Sequence, residues 1–190
     1  MKNWRKVFLT GCACLFLLGM LGGCSQMPQT TNPQDAAQQK QTTEAGGKTA
    51  QAEKEVVLYR LPTDGTQYFV VEKVKIKTAK GQEALDTLKA LVSTKPGKGI
   101  KAANAFPQNT KVLGLTIKDG VAKADFSKEL YKKGQGEYEI TMLLYSVANT
   151  LTEFPEIKKV QFLREGKPVE VLGQMDLSEA LVRNKTYIKK

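Results

Sequence analysis

KVLGLTIKDGVAKADFS, residues 111–127, reads as two strands folded back on each other. Lys111 to Ile117 and Val121 to Phe126 each alternate apolar and polar side chains. Asp119-Gly120 between them supplies the two residues that a tight hairpin turn needs at positive φ. Val112, Leu113, Leu115, Ile117, Val121, Ala124 and Phe126 are the expected apolar side of this hairpin. Downstream, Ser127 to Lys133 reads as a short helical or irregular segment closed by Gly134-Gln135-Gly136. Ile140, Leu143, Leu144, Val147, Leu151 and Phe154 then recur at steps of three and four, the period of a helix buried along one side. Glu137 and Glu139 stand in its first turn, where they favour the helix dipole, and Pro155 closes it.

The flanks extend the pattern. Val56-Val57-Leu58-Tyr59 reads as a first strand ended by Pro62 and the Asp64-Gly65 turn. Tyr68 to Ile76 is a second, with Lys73, Lys75 and Lys77 on one face and Val74 and Ile76 on the other. Ala84, Leu85, Leu88, Leu91 and Val92 share a helical face up to Ser93. Beyond Pro155, Ile157 to Leu163 is a strand, Gly166 marks a turn, and Val169 to Leu172 is its expected antiparallel partner. Asp176 to Arg183 is expected as a last helical turn, with a frayed Lys-rich end at 184–190. The fold class is α+β: one compact domain of antiparallel strand pairs with helices packed on the sheet, after a disordered tether.

That tether has its own logic. Leu21-Gly22-Gly23-Cys24 is a bacterial lipobox, preceded by Lys2, Arg5 and Lys6 and then an uncharged run from Val7 to Leu21. A basic start, a short apolar stretch and small residues at the cut are the parts of an export signal. The run is shorter than the roughly 20 residues a comfortable membrane span needs. Residues 1–23 are therefore expected as a signal peptide and Cys24 as the lipid-modified residue, facing outside the cytoplasm on the cell membrane. The alternative is an ordinary cleaved signal with an incidental Cys. Residues 24–55, rich in Gln, Thr, Ala and Asn, cannot bury enough surface to fold. Thirty such residues reach about 30 Å. Residues 56–183 form the expected domain.

Composition narrows the chemistry. The sequence has no histidine, so the commonest general base and metal ligand are both missing. Cys12 and Cys14 would leave with the signal, which removes disulfides and thiol catalysis. From Val56 onward 23 lysines and arginines stand against 15 carboxylates. A basic exported domain is drawn to an acidic protein face, anionic lipid or wall polymer, and export separates it from nucleic acid. The loop from Lys95 to Asn109 adds Lys95, Lys98 and Lys101 to the strand lysines as candidate contacts. Gly97-Lys98-Gly99 is too isolated for a phosphate loop. No nucleophile has an evident base, no cofactor is implied, and the expectation is a non-enzyme.

Two blocks carry a family likeness. One is Phe106-Pro107-Gln108-Asn109-Thr110-Lys111-Val112-Leu113, running on through Asp119-Gly120-Val121-Ala122-Lys123-Ala124-Asp125-Phe126-Ser127. The other is Val147-Ala148-Asn149-Thr150-Leu151-Thr152-Glu153-Phe154-Pro155, with Val160-Gln161-Phe162 and Gly166 after it. In this order they resemble the GerMN domain family of sporulation and spore-germination lipoproteins, over about Val56 to Arg183. The resemblance implies an exported lipoprotein whose domain docks an envelope or sporulation protein. A sporulation lipoprotein of that family carries two such domains in tandem, and this chain has room for one. Asp125 and Ser127 are the candidate contact residues within the blocks, although turn formation and strand-end capping account for most of the pattern. Binding of an anionic wall polymer or lipid through the lysines is the second expectation.

Overall fold

The computed structural model describes residues 50–189. The expected signal peptide, the lipobox with Cys24 and the tether up to residue 49 lie outside the described residues.

The chain enters along β1 (Ala52–Pro62), which pairs antiparallel with β2 (Val70–Thr78) in a register that sets Val56 against Val74 and Tyr59 against Val71. The ladder begins at Ala52, so residues 52–55 belong to this strand and not to the tether. Their register with Lys75, Lys77 and Thr78 recruits them although they contain almost no apolar side chain. Helix α1 (Glu83–Ser93) follows, and β3 (Ala102–Ala103) pairs with the far end of β1.

The hairpin quoted above forms, although Leu113 and Ile117, expected on its apolar side, are exposed. β4 (Val112–Lys118) and β5 (Val121–Phe126) are joined by Asp119 at φ 52° and Gly120 at φ 78°. Both residues take the left-handed region that a two-residue turn between right-twisted strands demands. A register shift between Val112 and Gly114 makes Leu113 a bulge. Helix α2 (Glu137–Leu151) then crosses to β6 (Lys159–Arg164), which lies parallel to β5. The expected strand pairs are antiparallel, and between two of them β5 and β6 lie parallel because the long connection through a helix returns the chain in the same direction. The α2 helix stops at Leu151, three residues before Phe154, where the Thr152 N–H bonds back to the Ala148 carbonyl at 3.0 Å.

The C-terminal expectations change more. The strand that turns back directly on β6 is the short β7 (Lys167–Pro168), while β8 (Val171–Leu172) pairs with β9 (Met175–Asp176). Asp176 to Arg183 makes no helix. It contains β10 (Leu181–Val182), which adds antiparallel to β6 and gives the sheet order β10-β6-β5-β4. Nor does the end fray from residue 184, since Lys185–Tyr187 form a short 3-10 turn and the Tyr187 carbonyl accepts the Phe69 N–H at 2.8 Å.

One apolar core takes Val56 and Leu58 from β1, Leu88 and Leu91 from α1, Leu143, Leu144, Val147 and Leu151 from α2, and Ala122, Ala124, Phe126, Val160 and Phe162 from the second sheet. Phe126 and Phe162 stack at 6.0 Å between centroids. Behind β1 a smaller cluster of Tyr59, Phe69 and Met142 is backed by Tyr187 and Ile188. β1 is thus buried on both faces over its middle, and polar groups there must find partners inside the domain.

Candidate functional site

Two polar clusters meet at β1. The first is built where the end of α2 runs beside that strand. The Tyr59 N–H, facing away from β2, donates to Thr150 Oγ1 at 3.1 Å. The Tyr59 hydroxyl donates to Glu153 Oε1 at 2.6 Å and accepts from Arg183 Nη2. Arg183 also reaches Glu153 Oε1 at 2.5 Å and the Asn149 carbonyl at 3.0 Å, and its guanidinium lies 5.1 Å from the centre of the Tyr59 ring. Asn149 is fully buried and holds the backbone of Asn184 from both sides: its amide donates to the carbonyl at 3.0 Å and its oxygen accepts the N–H at 2.8 Å.

This arrangement sets the charges. Burial and the bond to Glu153 push the Tyr59 phenol up to about 12, against the pull of Arg183. Burial works against ionisation of Glu153, but the bonds from Tyr59 and Arg183 outweigh it and hold the carboxyl below its ordinary range. The result is a neutral phenol, an ionised carboxylate and a paired guanidinium. These groups satisfy one another and leave no base poised near neutrality for acid–base work.

The second cluster is an ion pair on the opposite face of β1. Arg60 is 1% exposed and Glu72 7%, and Arg60 Nε donates to Glu72 Oε2 at 2.8 Å. Three further guanidinium hydrogens go to the end of α1: to the Leu91 carbonyl at 3.3 Å, the Thr94 carbonyl at 2.8 Å and Thr94 Oγ1 at 2.7 Å. Glu72 Oε1 takes the Gly97 N–H at 2.8 Å. A cation at a helix C-terminus is favoured by the dipole as well as by its carboxylate. The Lys95–Lys101 segment is therefore pinned at Gly97 against a buried carboxylate. Reading residue by residue missed Arg60 and Glu72. The available signal was one arginine inside an apolar strand and one glutamate on the apolar face of the next.

Asp125 and Ser127 are brought to the same end of the β4–β5 hairpin, and each is engaged. Asp125 Oδ1 accepts the Gly166 N–H at 3.0 Å, holding the β6–β7 turn. Ser127 is 8% exposed; its Oγ accepts the Lys111 N–H at 3.0 Å and its N–H donates to the Lys111 carbonyl at 2.9 Å. Lys75 and Lys77 stand opposite Glu55 and Glu53 in the ladder, and Lys73 Nζ lies 3.1 Å from Glu55 Oε1. Lys95, Lys98 and Lys101 flank Gly97, whose N–H meets Glu72. A cavity of about 300 Å³ runs along the start of β1, between Lys54–Val57 and Glu153–Pro155. No set of three or more metal-ligating side chains converges among the described residues.

With the site in view, relatives can be compared. The family profile named Germane, sporulation and spore germination, matches residues 57–170. The chain belongs to the Germane family. Its fold is similar to that of the first GerMN domain of the sporulation protein GerM from Bacillus subtilis, at 28% identity and TM-score 0.57, over 68% of this chain and 98% of that one. Against the tandem GerMN domains of the same protein the identity is 25% and the TM-score 0.56, over 69% of this chain and 46% of that one. The chain thus spans about half the length of the tandem protein. A lipoprotein candidate from Clostridium perfringens shares the fold at 24% identity and TM-score 0.51, over 70% of this chain and 89% of that one. A search of curated proteins returned no match. The Germane match runs from within β1 to the residue before β8, including Asn149, Thr150 and Glu153 but stopping short of Arg183 and Asn184, which two of them hold.

Proposed function

We propose that this Germane domain is a non-enzymatic docking module, held at the outer face of the cell membrane by a lipid on Cys24, and that it serves assembly of an envelope complex in sporulation or germination. The observation that carries the reading is the destination of the polar side chains in the family blocks. Asn149, Thr150, Glu153, Asp125 and Ser127 each bond a backbone group or a braced side chain of the domain itself. Residues spent on internal bonds hold a shape; they do not turn over a substrate. The surface is what such a shape offers. The Glu53 and Glu55 partners of the strand lysines favour a protein partner over an anionic polymer, because they leave that ribbon near neutrality.

The tether and the family setting are tested together by fractionating cells that express the full chain. The tagged protein is expected in the membrane pellet, labelled by added fatty acid, and Cys24→Ala is expected to lose the label and leave the pellet. Retention of the unlabelled variant in the pellet would overturn the anchor. Hydrolysis of wall material by the purified chain would overturn the non-enzymatic reading.

A further inference from the structure

We infer that β4 is a self-complementary sheet edge through which two copies of this chain pair, antiparallel, about a twofold axis at Thr116. β4 ends its sheet, with β5 on one side only. In a two-residue hairpin the closing pair, here Lys118 and Val121, exchanges both backbone hydrogen bonds. Thr116 and Gly114, at steps of two, also turn their backbone toward β5. Leu115 and Ile117 therefore turn theirs outward, and among the described residues neither finds a backbone partner beyond the sheet. The bulge at Leu113 ends the regular edge, leaving Gly114 to Lys118 as the stretch able to accept a strand, with Thr116 at its centre.

Pairing two such edges about Thr116 sets Leu115 against Ile117 of the second copy twice, so four outward groups on each strand are satisfied. It covers Ile117, now 41% exposed, with an apolar neighbour. On the other face Thr116 meets Thr116, a favourable cross-strand pair. Lys118 falls opposite Gly114, where a side chain meets no obstruction: even a Cβ added at Gly114 has nothing within 4 Å. No like charges meet. The remaining long edges lack this property. β2 carries Lys73, Lys75 and Lys77, the usual device against edge pairing. Two copies of the β1 edge would set Glu55 against Glu55, or Glu53 against Glu55, according to register. Of the long edges among the described residues, β4 alone meets itself without like charges. The contact is small, of the class that forms transiently. The inference rests on the sheet alone and not on the docking role proposed above.

Thr116→Cys tests the register. In the full chain with Cys12, Cys14 and Cys24 replaced by Ser, mild oxidation is expected to give a disulfide-linked dimer from Thr116→Cys. Gly114→Cys and Lys123→Cys, the latter exposed like Thr116, are expected to cross-link at least tenfold more slowly. Adding Ile117→Lys to Thr116→Cys should abolish the dimer while circular dichroism stays unchanged. Equal rates for the three cysteines, or a Thr116→Cys dimer indifferent to Ile117→Lys, would overturn the inference. So would capture of a different protein at Thr116→Cys in cells without the homodimer.

Discussion

Arg60 and Glu72 form a buried ion pair, 2.8 Å from Nε to Oε2, that ties the β1–β2 ribbon to the last turn of α1. Each charge has lost its water, and each is compensated by the other and by backbone groups. Removing one partner strands the other. Arg60→Met is expected to cost about 3–5 kcal/mol, and the double variant Arg60→Met/Glu72→Leu less than that, because an apolar pair leaves no orphaned charge. Urea denaturation of the two variants gives the comparison.

Thr150 offers a simpler case. It is fully buried and its hydroxyl takes the Tyr59 N–H. Thr150→Val keeps the shape and removes the acceptor, at an expected cost of about 1–3 kcal/mol for an unsatisfied buried donor. Chemical denaturation should show the loss without a change in far-ultraviolet circular dichroism.

The Tyr59–Glu153–Arg183 cluster shapes stability against pH at both ends. The folded-state pKa of Glu153 is depressed, so its contribution is present above the unfolded carboxyl range and is lost as pH falls through the folded value. Tyr59 is raised from 10.0 to about 12, so its contribution is present below pH 10 and is lost as pH rises toward 12. Thermal melts across pH should fall at both limits. Tyr59→Phe should flatten the alkaline fall, and Glu153→Gln the acid one.

Asp125 separates a brace from a contact residue. If its role is to hold Gly166, Asp125→Ala should lower stability by about 0.5–1.5 kcal/mol while partner capture in cells persists. Unchanged stability with lost capture would return Asp125 to the docking surface.

Gly173 sits at φ 60°, and a Cβ there would come 2.3 Å from Ile140 Cδ1. Gly173→Ala is expected to cost about 1–2 kcal/mol in denaturation, since an L side chain is strained at this φ and the end of the Ile140 side chain has to move aside.

Much of this fold is legible in the chain because local chemistry and tertiary structure agree. Asp119-Gly120 specifies its turn whatever surrounds it, and the apolar steps from Ile140 to Leu151 leave little choice of period. The misread parts lack such local signals. Val171–Leu172, Met175–Asp176 and Leu181–Val182 are two-residue strands, too short for alternation to appear, and they exist because neighbouring strands accept them. The first residues of β1 are polar and are recruited by the ladder with β2. The polar braces were harder still. Arg60 and Glu72 are twelve residues apart, Tyr59 and Arg183 far more, and no spacing rule joins them. Asp125 and Ser127 stand out by their place in the family blocks, and their bonds to Gly166 and Lys111 join residues that are distant in the sequence.

The most direct test of a docking role is cross-linking of the full, tethered chain in living cells, during growth and under starvation, with identification of what is captured. The account predicts one defined envelope or sporulation protein, captured saturably and retained at high salt. Recovery of wall polymer or lipid alone, lost as ionic strength rises, would contradict it.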